Sequence, residues 1–219
     1  MKIKVLTAVF ATTILLASCS GGDKNSNGDS TVYDETRPVG ENHLEDLLGV
    51  KDEAALKSMF AADRVTYDTI WGAEGMYTMG TYVDKGTTDE VQIYWEDSLH
   101  RSGVDAVFIG AIYSNDGKYN FSNKWSSKSG VKLGMTTDEL ENLNKKPFNF
   151  SGFGWDYGGG VMSWNNGGLE DKNVGVTLTE GDGKITEDEM SQVLGDQEIK
   201  SNDPVVKKMQ PKVVRLSVH

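Results

Sequence analysis

Residues 130–164 read GVKLGMTTDELENLNKKPFNFSGFGWDYGGGVMSW, and this stretch sets the fold expected of the rest of the chain. Thr136 and Glu139 stand at capping-box spacing, so each side chain can accept an N–H that the first turn of a helix leaves without a partner. Leu140 and Leu143 fall on one face of that helix, and Pro147 ends it. Phe148 and Phe150 then alternate with polar neighbours, as in a half-buried strand. Gly158-Gly159-Gly160 break the strand, Val161 to Trp164 form another, and Asn165-Asn166-Gly167-Gly168 turn the chain back. The unit is a short helix followed by an aromatic, glycine-rich β segment.

Downstream, Val174, Val176 and Leu178 read as the returning arm of that hairpin, and Val213 to Val218 as a closing strand. Upstream, the same plan recurs. Leu44, Leu47 and Leu48 suggest a helical turn or two, and Asp52 is a good N-cap for a helix over Glu53 to Ala61 with Leu56, Met59 and Phe60 inward. From Arg64 the period changes. Met76 to Val83, Glu90 to Glu96 (Val91, Ile93 and Trp95 alternating) and the central Ala106 to Tyr113 read as strands, and Asn115-Asp116-Gly117 as a hairpin turn. The expected fold is α+β, with two tandem units of short helix plus antiparallel β strands and the helices packed on one sheet face. The units are expected at about 41–121 and 130–218, within a domain over 38–219.

The N-terminus speaks to compartment. Lys2 and Lys4 precede an apolar run from Val5 to Leu16, too short for a comfortable membrane span. It ends in Leu16-Ala17-Ser18-Cys19, which resembles the lipobox of bacterial lipoproteins. The resemblance implies removal of residues 1–18 and lipidation of Cys19, the only cysteine of the chain. Residues 19–37 would then be a lipidated Cys and a flexible tether, of which Ser20 to Ser30 reach ~17–20 Å as a random coil. No Asp follows Cys19, so the resemblance points to the outer membrane of the cell envelope.

Without residues 1–18 the chain carries 20 basic against 33 acidic residues, a net charge of −13. Such a surface repels phosphate backbones and argues against nucleic acid as a partner. No catalytic set emerges. His43, His100 and His219 lack metal-ligand spacing, no Gly-x-Ser-x-Gly elbow occurs, and an acidic neighbour such as Glu96-Asp97 is expected by chance among so many carboxylates. Thr179 to Met190 (TEGDGKITEDEM) has the look of an EF-hand loop, with Gly183 at the obligatory glycine and Glu180, Asp182, Ile185 and Glu189 at the third, fifth, eighth and twelfth positions. Its first ligand would be Leu178, which offers no oxygen, so an acidic surface loop is the expectation. No metal or cofactor is expected.

Two further resemblances bear on the central unit. Gly134-Met135-Thr136 with Glu139-Leu140 and Lys146-Pro147 resembles the helix opening of the small outer-membrane assembly lipoproteins of the SmpA/OmlA family, over about 20 residues. That family usually has Gly-x-Pro where this chain has Lys145-Lys146-Pro147, and about half its length. The arrangement also resembles the β-lactamase-inhibitor-protein-like fold, a tandem repeat of helix pair plus sheet. The run over 146–159, KPFNFSGFGWDYGG, resembles exported lipoproteins of the Bacteroidetes and brings no activity with it. The lipid anchor, the tether, the tandem modules and the absence of a catalytic set lead to the expectation of a non-enzymatic, membrane-anchored envelope lipoprotein that binds a protein partner through its sheet face. The alternative is a glycan- or peptide-binding lipoprotein with a Trp/Tyr/Asn-rich surface. Trp71, Trp155, Asp156, Tyr157 and Trp164 are the candidate binding residues, the aromatic ones either facing a partner or filling the core.

Overall fold

The computed structural model describes residues 41–219; the expected leader, Cys19 and the tether lie outside the described residues. The chain enters through a two-residue strand, β1 (Asn42–His43), and a 3-10 turn that buries Leu44 and Leu47. Helix α1 (Glu53–Phe60) starts where Asp52 accepts the N–H of Ala55 at 2.9 Å, and it buries Leu56 and Phe60, one turn apart. Four antiparallel strands follow as a meander: β2 (Val65–Trp71), β3 (Tyr77–Val83), β4 (Val91–Asp97) and β5 (Ser102–Gly110). In β4, Val91, Ile93 and Trp95 are buried while Gln92 and Tyr94 are half-buried, the alternation that its sequence predicts. A small hairpin, β6 (Ile112–Tyr113) with β7 (Tyr119–Asn120), closes this half, and β8 (Trp125–Ser126) returns to pair in parallel with β1.

The second half opens on α2 (Thr137–Asn144) with its capping box formed: Thr136 N–H donates to Glu139 Oε2 at 2.8 Å, and Glu139 N–H to Thr136 Oγ1 at 3.3 Å. Lys145 closes the helix in the left-handed conformation, φ 63°, that glycine would take at lower cost. Thr136→Ala is expected to lower stability by about 1 kcal/mol in denaturant unfolding, and a loss under ~0.3 kcal/mol would show the cap to be dispensable. Then come β9 (Asn149–Ser151), β10 (Val161–Ser163), β11 (Val174–Thr179), the short helix α3 (Glu187–Ser191), β12 (Glu198–Lys200), α4 (Pro204–Met209) and β13 (Lys212–Val218).

The fold is α+β and dominated by antiparallel sheet. The largest sheet has six strands in the order β11-β13-β5-β4-β3-β2, so β13 runs between strands of both halves. The second sheet is β10-β9-β12. Val174, Val176 and Leu178 are therefore not the returning arm of β10. They pair with β13, Val174 opposite Val218 and Val176 opposite Leu216, and a single bridge, Gly160 to Thr177, links them to the preceding segment. The reason is physical. Asn165 and Asn166 both take positive φ, and the chain on either side of them is captured by α2: Asn144 Nδ2 donates to Trp164 O at 2.8 Å, and its Oδ1 accepts Leu169 N–H at 3.1 Å. An all-valine-and-leucine face also needs a wide apolar surface, which a three-stranded sheet does not supply.

One face of the large sheet carries the core. Val91, Ile93, Val107, Ile109, Leu216 and Val218 lie on it by register, and they belong to one buried cluster that also includes Leu56 and Phe60 of α1, Leu140 of α2 and Met209 of α4. Directly opposed residues share a face, so the register places Tyr82, Gln92, Phe108 and Ser217 on the other side, with Tyr94, Arg215 and Thr177 beside them. At the free edge, β2 has β3 as its sole neighbour, and side chains occupy the main chain of Thr69: its N–H donates to Asp68 Oδ1 at 2.7 Å, and its carbonyl accepts Tyr82 OH at 2.9 Å.

Candidate ligand-binding cleft

The glycine-rich segment after β9 forms a loop pinned by main-chain bonds on two sides. Phe153 N–H donates to Val193 O and Gly195 N–H to Phe153 O, both at 2.8 Å. Gly159 N–H donates to Ser151 O at 2.8 Å, and Gly159 O accepts Leu178 N–H of β11, also at 2.8 Å. Between these anchors Trp155 donates its indole N–H to Gly152 O at 2.8 Å and meets Tyr157 edge-on, ring centres 5.4 Å apart. Asp156 Oδ2 accepts the N–H of Glu74 at 3.0 Å, which joins the loop to the turn between β2 and β3. Beside that turn Trp71 and Tyr77 meet with ring centres 5.4 Å apart and planes tilted by 57°.

The loop stands over the outer face of the large sheet and encloses a cleft of about 530 Å³. Trp155, Asp156, Tyr157 and Met162 line it from the loop and β10, Ala73 from the hairpin turn, Thr177 and Arg215 from the large sheet, Ser151 from β9 and Asp196 from the segment before β12. Of the ten large apolar side chains exposed among the described residues, six gather on the loop, β10 and the hairpin end: Trp71, Met76, Tyr77, Trp155, Tyr157 and Met162. Such a concentration exceeds the scatter of single exposed apolar residues that needs no explanation.

No family model, curated protein or solved structure matches the chain.

The structure sorts the candidate residues. Trp71, Trp155, Asp156 and Tyr157 lie at the surface, Trp71 66% exposed and Trp155 38%. Trp164 does not join them: it is 7% exposed, with its ring centre 5.0 Å from that of Phe148 in the core. Sequence reading missed Arg215, Thr177, Asp196, Ser151 and Met162. One signal was present for Arg215, the sole charged residue between Val213 and Val218.

The remaining motifs are held in other ways. Asp182 pairs with Lys212, whose hydrogen bond keeps the Asp182 carboxyl below its ordinary pKa. Glu189 is lowered likewise, first by Lys208 and then by the N–H of Thr186, whose helix start it caps. A Cβ on Gly183 would lie 1.8 Å from Lys208 O, so the acidic loop is pressed against the end of α4. No group of three or more His, Cys, Asp or Glu among the described residues is placed to hold a metal ion. His100 Nδ1 lies 2.6 Å from Asp97 Oδ2 on an exposed turn, and neither residue lines the cleft. No helix among the described residues is long and apolar enough to cross a membrane.

Proposed function

We propose that the protein is a membrane-anchored envelope lipoprotein, held by lipid on Cys19 at the outer membrane, and that it acts without catalysis by binding another protein at this cleft. The observation that carries the binding half is the gathering of exposed Trp, Tyr and Met side chains around a concave site backed by a rigid sheet. Trp, Tyr, Met and Arg are the residues enriched where proteins meet, and fixed aromatic rings lose little conformational freedom on docking. The glycan alternative draws support from Trp155 and Tyr157 beside Asp156. It draws none from the asparagines: Asn165 is committed to Pro147 O and Asn149, and Asn144 to Trp164 and Leu169.

The tandem-unit reading belongs to the same proposal. Its support is a pair of eight-residue capped helices, α1 and α2, each followed by antiparallel strands, with apolar residues of both in one core. The sheets lend it none, since four strands of one half and two of the other share the large sheet.

In-cell crosslinking of the native lipoprotein followed by mass spectrometry tests the function. One dominant envelope partner is expected, lost on Trp155→Ala or Tyr157→Ala while the circular dichroism spectrum is retained. Capture that is diffuse, or that is unchanged in both variants, would overturn the proposal.

A further inference from the structure

Three arginines fall among the described residues, and two of them hold carboxylates. Arg64 grips Asp84 through Nε at 2.7 Å and Nη2 at 2.6 Å, and Arg101 Nε lies 3.3 Å from Glu53. Arg215, at the cleft, has no carboxylate within 4 Å among the described residues. Its guanidinium lies 4.6 Å over the ring of Phe108, and its polar contacts are Nη2 to Tyr94 OH at 3.4 Å and to Gln92 Oε1 at 3.5 Å. Bonds of that length are weak, and a guanidinium has five donors to satisfy. Its cross-strand neighbours are Gly110 and Thr177, both small, so the charge stays open to the cleft. A second unsatisfied group sits nearby: Ser151, which also lines the cleft, is buried at 7% exposure, and its hydroxyl has no hydrogen-bond partner.

We propose that Arg215 is the anion anchor of this cleft and that the occupant is a peptide segment presenting one carboxylate beside an apolar side chain. This deepens the binding reading above and rests on it. The planar guanidinium, steadied by Phe108, matches a carboxylate bidentately. Trp155, Tyr157 and Met162 supply the apolar wall for the neighbouring side chain. The carboxylates of Asp156 and Asp196 in the same lining, on a chain of net charge −11, select against multiply charged anions such as phosphates. Met162 and Val161 beside the two aromatic rings give the wall an aliphatic patch that suits a peptide's apolar side chain better than the hydroxyls of a uronic acid.

The test uses the full chain in detergent micelles and three probes followed by heteronuclear NMR: N-acetyl-Leu-Glu-Leu-amide, its Gln isostere, and methyl glucuronide. The Glu peptide is expected to bind at least ~10-fold more tightly than the Gln peptide, in keeping with a charge-assisted pair worth more than a neutral one. Arg215→Gln should erase that difference and Arg215→Lys should retain part of it. The comparison of the two peptides on the unsubstituted chain stands even if a variant fails to fold. Equal binding of the two peptides, no peptide binding, or binding of the glucuronide alone overturns the inference. Trp155→Ala separates the two levels. If the peptides bind alike and Trp155→Ala abolishes both, the cleft stands and the anchor falls. If Trp155→Ala changes nothing, both fall.

Discussion

Trp164→Ala should lower the free energy of unfolding by about 3–5 kcal/mol, the range for removing a large aromatic side chain from a packed interior. Trp164 is buried against Phe148, and Phe148 and Phe150, both fully buried, continue the aromatic run at a ring separation of 6.3 Å. Little around it can collapse into the space. The segment that carries it is held by main-chain bonds, Gly167 N–H to Trp164 O at 3.0 Å and Asn144 Nδ2 to the same oxygen at 2.8 Å, which the substitution leaves in place. Those bonds keep the walls apart and the cavity open. Trp155→Ala should behave otherwise: a partly exposed ring and one indole hydrogen bond are worth ~1 kcal/mol. Urea unfolding of the two variants side by side is the measurement. A loss below ~1 kcal/mol at Trp164 would return that residue to the surface and undo the division between core and cleft.

Gly159→Ala is the second large effect, at about 2–5 kcal/mol. Gly159 has φ +77°, a conformation that costs an L side chain ~1–2 kcal/mol. A Cβ there would also lie 2.0 Å from Leu178 O, well inside contact distance. The neighbour is main chain of β11, not a flexible side chain, so relief requires the loop to withdraw from the sheet. Withdrawal would break the bonds to Ser151 and Leu178 and displace Trp155 and Tyr157 from the cleft wall. The variant should therefore lose partner capture along with stability. Gly49→Ala is the control: nothing lies within 4 Å of its added Cβ, and its φ is not positive, so its stability should stay within ~0.5 kcal/mol of the unsubstituted chain. If the two variants unfold alike, the close approach at Gly159 is not what holds the loop.

What could be read from sequence was what neighbouring residues decide. The capping box of Thr136 and Glu139, the Asp52 cap and the alternation of Val91, Ile93 and Trp95 all recur in the structure because each depends on residues within a turn or two of one another. Pairing was harder. Val174 to Thr179 is a strand as its pattern demands, but alternation carries no address, and its partner is the last strand of the chain rather than the nearest one. Trp164, open between core and surface in the sequence, lies in the core for another reason: the β9–β10 register shifts between Val161 and Ser163, so the two-fold period breaks and Trp164 is buried while Met162, two residues before it, is exposed. The cleft was the least legible feature, because Ala73, Trp155, Thr177, Asp196 and Arg215 come from widely spaced segments and meet only through the β2–β3 turn and the placement of β13.

The occupied main chain at Thr69 has a consequence for many copies together. On the proposed lipid anchor the protein would share a plane with its neighbours, where lateral encounters are frequent and orientation is restricted. A bare edge strand under those conditions is a template on which sheets grow from one molecule into the next. Here the Thr69 amide and carbonyl are already taken by Asp68 and Tyr82, and Lys85 adds an ion pair to Asp68 at the same margin. An arriving strand finds no continuous row of free groups to zip along. The same few side chains that complete one molecule's edge would keep a crowded layer of anchored copies as separate, dispersed units.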